Sequence, residues 1–192
     1  MASSKSSQIK GDIKLGNGCV ICEDCKIRGD VTIGNGTIIH PRASIIAEAG
    51  PIIIGEHNLI EDKAEIIHRS DTKSGSTPVM IIGNFNVFEV GSKSEALKIG
   101  DNNVLEAKCI VGHDVVISNN CVIGAGCVFT RAEVLPENCA IYGKDCTPRI
   151  TQGHQPQVLQ LDHLSKVLPS YHHLVKKKKS VARDPAPTPA QQ

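Results

Sequence analysis

The chain has 192 residues, with 21 Lys+Arg against 20 Asp+Glu and a formal net charge of +1. That length suits one domain, or one domain with a tail. The balanced charge lacks the basic footprint of a dedicated nucleic-acid binder, aromatic residues are only 3% with no Trp to stack on bases, and no apolar run approaches the roughly 18 residues of a membrane-spanning helix. The opening MASSKSSQIKGD lacks the apolar stretch of a signal peptide, so the expectation is a soluble, intracellular protein. Ile (23) and Val (16) outnumber Leu (10), and β-branched side chains favour strands over helices.

Residues 1–8 show no periodicity and are expected to be disordered. From Ile9 an aliphatic residue recurs every six positions, through Leu15, Ile21, Ile27, Ile33, Ile39 and Ile45. The phase slips by three and resumes at Ile54, Ile60 and Ile66. After a longer break it returns at Ile82 and Phe88, slips by one, and runs Ile99, Leu105, Val111, Ile117, Ile123, Phe129, Leu135 and Ile141. A period of six does not fit the 3.6 residues of a helical turn; it fits a short strand and a turn, repeated. Gly often follows the aliphatic residue, and Asn, Asp and Gly crowd the next two places, as in IGNG and IGDNN. Those residues tolerate the positive φ of sharp corners.

Four residues after the aliphatic stands a small one: Cys19, Cys25, Val31, Thr37, Ala43, Ala49, Ala64, Cys109, Val115, Cys121, Cys127 and Cys139. It precedes the next aliphatic residue by two, so both point to one face of a strand, the interior. Ile27 and Ile123 are therefore structural positions. This is the hexapeptide pattern of a parallel β-helix. Three hexads make a triangular coil, and roughly seven coils stack at about 4.8 Å. The predicted fold is an all-β solenoid, a left-handed parallel β-helix over 9–146, the hand being that of known hexapeptide proteins. Its two ends need caps, because open sheet edges invite pairing.

In chain order, Cys19, Cys22 and Cys25 read CxxCxxC, a metal-site spacing. The hexad frame places Cys19 and Cys25 in interior slots instead; only Cys22 and Cys146 fall outside them. All eight thiols are expected to be free and structural. Within IRGD, Arg28 and Asp30 are expected to form a corner ion pair or hydrogen-bond network. Residues 69–78, RSDTKSGSTP, fit no hexad and are read as a protruding loop; 91–98 are a weaker irregularity. Insertions in repeat proteins often carry function. Residues 147–175 read as a connector and a C-terminal amphipathic helix over 157–168. Its apolar stripe is Val158, Leu161, Leu164 and Leu168, continued by Tyr171, Leu174 and Val175. Pro156 stands near its start and Pro169 at its end. The helix is expected to pack along the β-helix. Residues 176–192 are basic, Pro-rich and expected to be disordered; Thr188-Pro189 there is a minimal proline-directed phosphorylation site.

The body resembles the γ-class carbonic anhydrase family, hexapeptide-built enzymes that hold zinc through three histidines. IRGD matches that family's Arg-Gly-Asp element at Arg28 and Asp30. In IGEHNLIEDKAEIIH, however, the first ligand position holds Ile67, with His68 one residue late, and a one-residue shift turns a side chain to the opposite face. In GHDVVIS, His113 matches the second ligand and Ser118 stands at the third. Catalytic zinc normally takes three protein ligands, so neither a metal nor carbonic anhydrase activity is expected. Hexapeptide acyltransferases use a His base between subunits of a trimer; His40, His57 and His113 are available, but no motif singles one out.

Across residues 10–175 the chain resembles the dynactin subunit 6 family, through IRGDVTIG, IIAEAGPIIIGEHNLIE, NVFEVGS, IGDNNVLE, PENCAIYG and QVLQLDHLSKVLPSYHHL. The resemblance implies a non-enzymatic scaffold with no cofactor, in the pointed-end complex of dynactin. It implies direct pairing with dynactin subunit 5, beside dynactin subunit 4 and the pointed-end actin-related protein. Dynein adaptors and cargo would be served indirectly, in microtubule transport and at mitotic kinetochores or centrosomes, without nucleic acid or membrane insertion. The alternatives are a γ-carbonic-anhydrase-like zinc enzyme and an acyltransferase homotrimer.

Overall fold

The computed structural model describes residues 9–69 and 78–175. Residues 1–8, most of the expected loop at 69–78, and the tail from 176 with Thr188 lie outside the described residues. Short strands wind into seven coils and stack as three sheets. The first runs from Ile9–Lys10 to Val128–Phe129, and the second from Ile13–Leu15 to Glu133–Leu135; each has seven strands, all parallel. The third runs from Val20–Ile21 to Cys139–Tyr142 and adds one antiparallel strand, Thr147–Ile150. The last parallel strand ends at Tyr142, and Thr147–Ile150 lies just beyond residue 146 as an antiparallel cover.

Register follows the sequence ladder. Ile27 pairs with Ile45 and Ile45 with Ile66, so like side chains stack and fill the prism. Every ladder aliphatic from Ile21 to Ile141 is buried. Ser94 takes the slot between Ile66 and Val111, and its Oγ accepts a hydrogen bond from the Ala96 N–H at 3.3 Å. Most of the expected small residues fill the interior beside the ladder. Ala49 does not: three extra residues turn its segment into a corner, and Ile52 is buried in its place.

Both ends of the third sheet are closed by the chain itself. At one end the Thr147–Ile150 strand covers Cys139–Tyr142. Arg131 crosses the last coil there, 5.0 Å above the Phe129 ring, and donates to the Cys146 carbonyl at 3.3 Å. At the other end, Val175 N–H donates to Ile21 O and Glu23 N–H to His173 O, both at 2.8 Å. That segment buries Cys22, which bridges Leu174. The first and second sheets end in strands without a further partner among the described residues.

Helix α1 (Val158–Tyr171) lies on the outer face of the third sheet. Leu161, Leu164 and Leu168 cover a row of Val20, Ile38, Leu59, Val87 and Val104. Three of the helix expectations need correction. Pro169 does not end the helix, which continues two residues beyond it; so near the terminus its missing N–H leaves only one exposed carbonyl without an intrahelical partner. Tyr171 is 78% exposed and Val158 52% exposed, so neither joins the stripe. No helix among the described residues is long and apolar enough to cross a membrane.

Candidate interaction surface

Two of the three corners keep a strict six-residue step, and each is held by a polar ladder. Between the second and third sheets, Asn58, Asn86 and Asn103 are buried one above another. Asn58 Oδ1 accepts from Asn86 N–H at 2.8 Å, Asn86 Oδ1 from Asn103 N–H at 2.9 Å, and Asn103 Oδ1 from Cys121 N–H at 2.7 Å. An exposed ladder runs beside it. Asn35 takes the Asn17 N–H, Asn84 the Glu56 N–H, Asp101 the Asn84 N–H and Asn119 the Asp101 N–H, all at 2.6–2.7 Å. Each side chain therefore satisfies the backbone of an adjacent coil.

Between the third and first sheets, successive coils place His40, Glu61, Glu89 and Glu106 at one position. Glu89 accepts from the Ala107 N–H at 2.9 Å and Glu106 from the Ala125 N–H at 2.8 Å. Burial, with Glu89 next in line, pushes the Glu61 carboxyl above its ordinary pKa. Burial also lowers His40, partly opposed by Asp62.

The remaining corner, between the first and second sheets, takes every change in repeat length. The ladder residues on either side are nine apart at Ile45 and Ile54, sixteen at Ile66 and Ile82, and five at Ser94 and Ile99. In repeat proteins such insertions collect on one face, often the binding face. Arg28, Gly29 and Asp30 stand on this corner. Gly29 has φ 90°, and a Cβ there would lie 2.3 Å from the Ala47 carbonyl oxygen; only glycine turns this corner under its neighbour. The expected pairing of Arg28 with Asp30 does not form among the described residues. The turn at Gly29 leaves both side chains exposed.

The candidate zinc positions do not make a ligand set. Ile67 lies half-buried on the outer side of Glu65–His68 and offers no donor atom. His68 points inward and is fully buried, with Nδ1 donating to the Gly50 carbonyl at 3.0 Å. His113 precedes the strand Val115–Ile117, with Nδ1 3.2 Å from Asp114 Oδ1; Ser118 follows that strand and brings only a hydroxyl. These residues do not fit the zinc of the resembling enzymes. The three histidines weighed as bases stand on three different corners: His40 between the third and first sheets, His57 between the second and third, and His113 between the first and second. His57 is stacked on Phe85 at 5.1 Å.

Cysteines are structural thiols by environment. All eight are free. Burial raises Cys22 to about 11 and both Cys25 and Cys109 to about 12, which suppresses the nucleophilic thiolate.

A family model described as bacterial transferase hexapeptide (six repeats) matches residues 12–47 and 97–131. Among solved structures, a hexapeptide transferase family protein from Anaplasma phagocytophilum is 17% identical, with a TM-score of 0.62 over 82% of this chain and 91% of that one. That likeness shows the fold, a left-handed β-helix. Dynactin subunit 6 of Xenopus tropicalis is 51% identical over 90% of this chain and 89% of its own. That of Danio rerio is 52% identical over 88% and 90%, and that of Nematostella vectensis 50% over 94% and 100%. With half of its residues shared over some nine-tenths of its length, the chain belongs to the dynactin subunit 6 family.

Proposed function

We propose that this protein is a non-catalytic scaffold subunit of the dynactin pointed-end complex. It pairs directly with dynactin subunit 5, beside dynactin subunit 4 and the pointed-end actin-related protein. Through them it supports the engagement of dynein adaptors and cargo in microtubule-based transport and mitosis. Its place is the cytoplasm and cytoskeleton, with the centrosome or kinetochore in mitosis. The observation that carries this reading is the family membership, held over nearly the whole chain. The site chemistry supports it: a zinc position holding Ile67 has no donor atom, and Ser118 brings only a hydroxyl where a third ligand would stand. The enzyme readings rest on fold likeness alone, and a fold hosts many functions.

A tagged copy expressed in animal cells tests the reading. The tagged chain is expected to sediment with intact dynactin, in constant ratio to its other subunits. Sedimentation as a free homotrimer, with CO2 hydration or acetyl-CoA binding in that fraction, would contradict it.

A further inference from the structure

The three outer faces of the prism are not alike. Helix α1 covers the third. The first carries Lys26, Ser44, Glu65 and Lys93 in one register row, which turns apolar only over its last two strands, at the exposed Ile110 and Val128. Arg69 and Lys93 both reach Glu95 there, at 3.3 and 3.6 Å. The second is neither covered nor guarded over most of its length. Its outward row begins with Lys14 and Thr32 and continues in register as Ile53, Ile81, Lys98, Val116 and Val134. Ile53 is 43% exposed, Ile81 49% and Val134 65%. One of its long sides is the corner where repeat length varies.

We infer that this apolar row of the second sheet is the face on which the partner subunit docks, and that the partner presents a flat solenoid face with a carboxylate opposite Lys98. The inference rests on the pairing with dynactin subunit 5 proposed above. Two arguments select that occupant. The first is pitch: five strands at about 4.8 Å give a row about 19 Å long, and a second β-solenoid repeats its side chains at the same spacing throughout. A helix repeats every 5.4 Å and drifts out of step. The second is charge: Lys98 is the middle member of the five. A two-fold pairing of this face with a second copy places Ile53 against Val134 and Ile81 against Val116. It also sets Lys98 against Lys98, a like-charge contact that disfavours self-association. An acidic residue at that place on a different chain turns the same contact into an ion pair.

The test is coexpression of the full chain with dynactin subunit 5, followed by size-exclusion chromatography and a titration of the separated subunits. Four chains are compared: wild type, Ile81→Asp, Lys98→Glu, and Val128→Asp on the first sheet. Melting of each chain alone shows that it is folded, as expected for exposed positions. Ile81→Asp and Lys98→Glu are expected to bind subunit 5 at least tenfold more weakly, and Val128→Asp within threefold of wild type. A wild-type complex that survives unchanged in both second-sheet variants overturns the face while leaving the pairing intact. Failure of the wild-type chain to bind subunit 5 overturns the pairing and the inference with it. A wild-type homodimer dispersed by Ile81→Asp overturns the choice of occupant.

Discussion

His57 and Gly36 show how single residues are fixed by the coil beneath them. His57 lies over Gly36 and stacks on Phe85 of the next coil. A Cβ on Gly36, at φ 62°, would stand 2.4 Å from His57 Nδ1, whereas Gly126, at φ 69°, has nothing within 4 Å. Gly126→Ala should therefore cost only the left-handed backbone term, about 1–2 kcal/mol. Gly36→Ala should cost more, since His57 must also leave its stack. Thermal melts of both variants check this, and His57→Ala should restore part of the loss in the Gly36→Ala background; equal costs would show that the stack gives way freely. Glu61 gives a prediction with a pH sign. Its folded pKa is raised above 4.5 by burial and Glu89, so ionisation at neutral pH works against the folded state. The stability is full below pH 4.5 and is lost as pH rises through the folded pKa. Glu61→Gln should accordingly be the more stable chain at pH 7, by a few tenths of a kcal/mol as for like-charge neighbours. The gain should vanish below pH 4.5. Denaturant titrations at the two pH values measure it, and a Gln variant that is weaker at pH 7 would contradict the stacked-carboxylate picture.

At the scale of the element, the ladder is the fold. Ile27 and Ile123 are 1% and 0% exposed, stacked between Ile9 and Ile45 and between Leu105 and Ile141. Asp at either position places an unpaired charge in the prism, a cost of several kcal/mol. Far-UV circular dichroism should show either variant unfolded at 25 °C; melting like wild type would refute the ladder's placement. The sequence made this much readable because one period governs strand, corner and interior together. It also held the one variable corner, in the spacing of ladder residues, although the strings at 69–78 and 91–98 read only as separate irregularities. Other features were hidden. The Asn residues looked like turn formers, and their stacking appears only once coils are superposed. Pro169 looked like a helix stop, but docking of Leu161 and Leu168 holds the helix past it. The Arg28–Asp30 pair failed because residue spacing says nothing of the turn that Gly29 puts between them.

Over the whole molecule, the chain spends its C-terminal segments on itself. The Thr147–Ile150 strand, helix α1 and residues 173–175 close one sheet at both ends and cover one face. What is left uncovered includes the long apolar row of the second sheet beside the variable corner, and His40, His57 and His113 stand on three different corners. That division fits the scaffold role proposed above. The most direct test is light scattering on chromatographed protein, purified alone and coexpressed with dynactin subunit 5, with zinc assayed in every peak. A 1:1 heterodimer without zinc is the predicted result. A stable homotrimer carrying one zinc per subunit would contradict it, and would mean that Ile67, His113 and Ser118 are not the positions that matter.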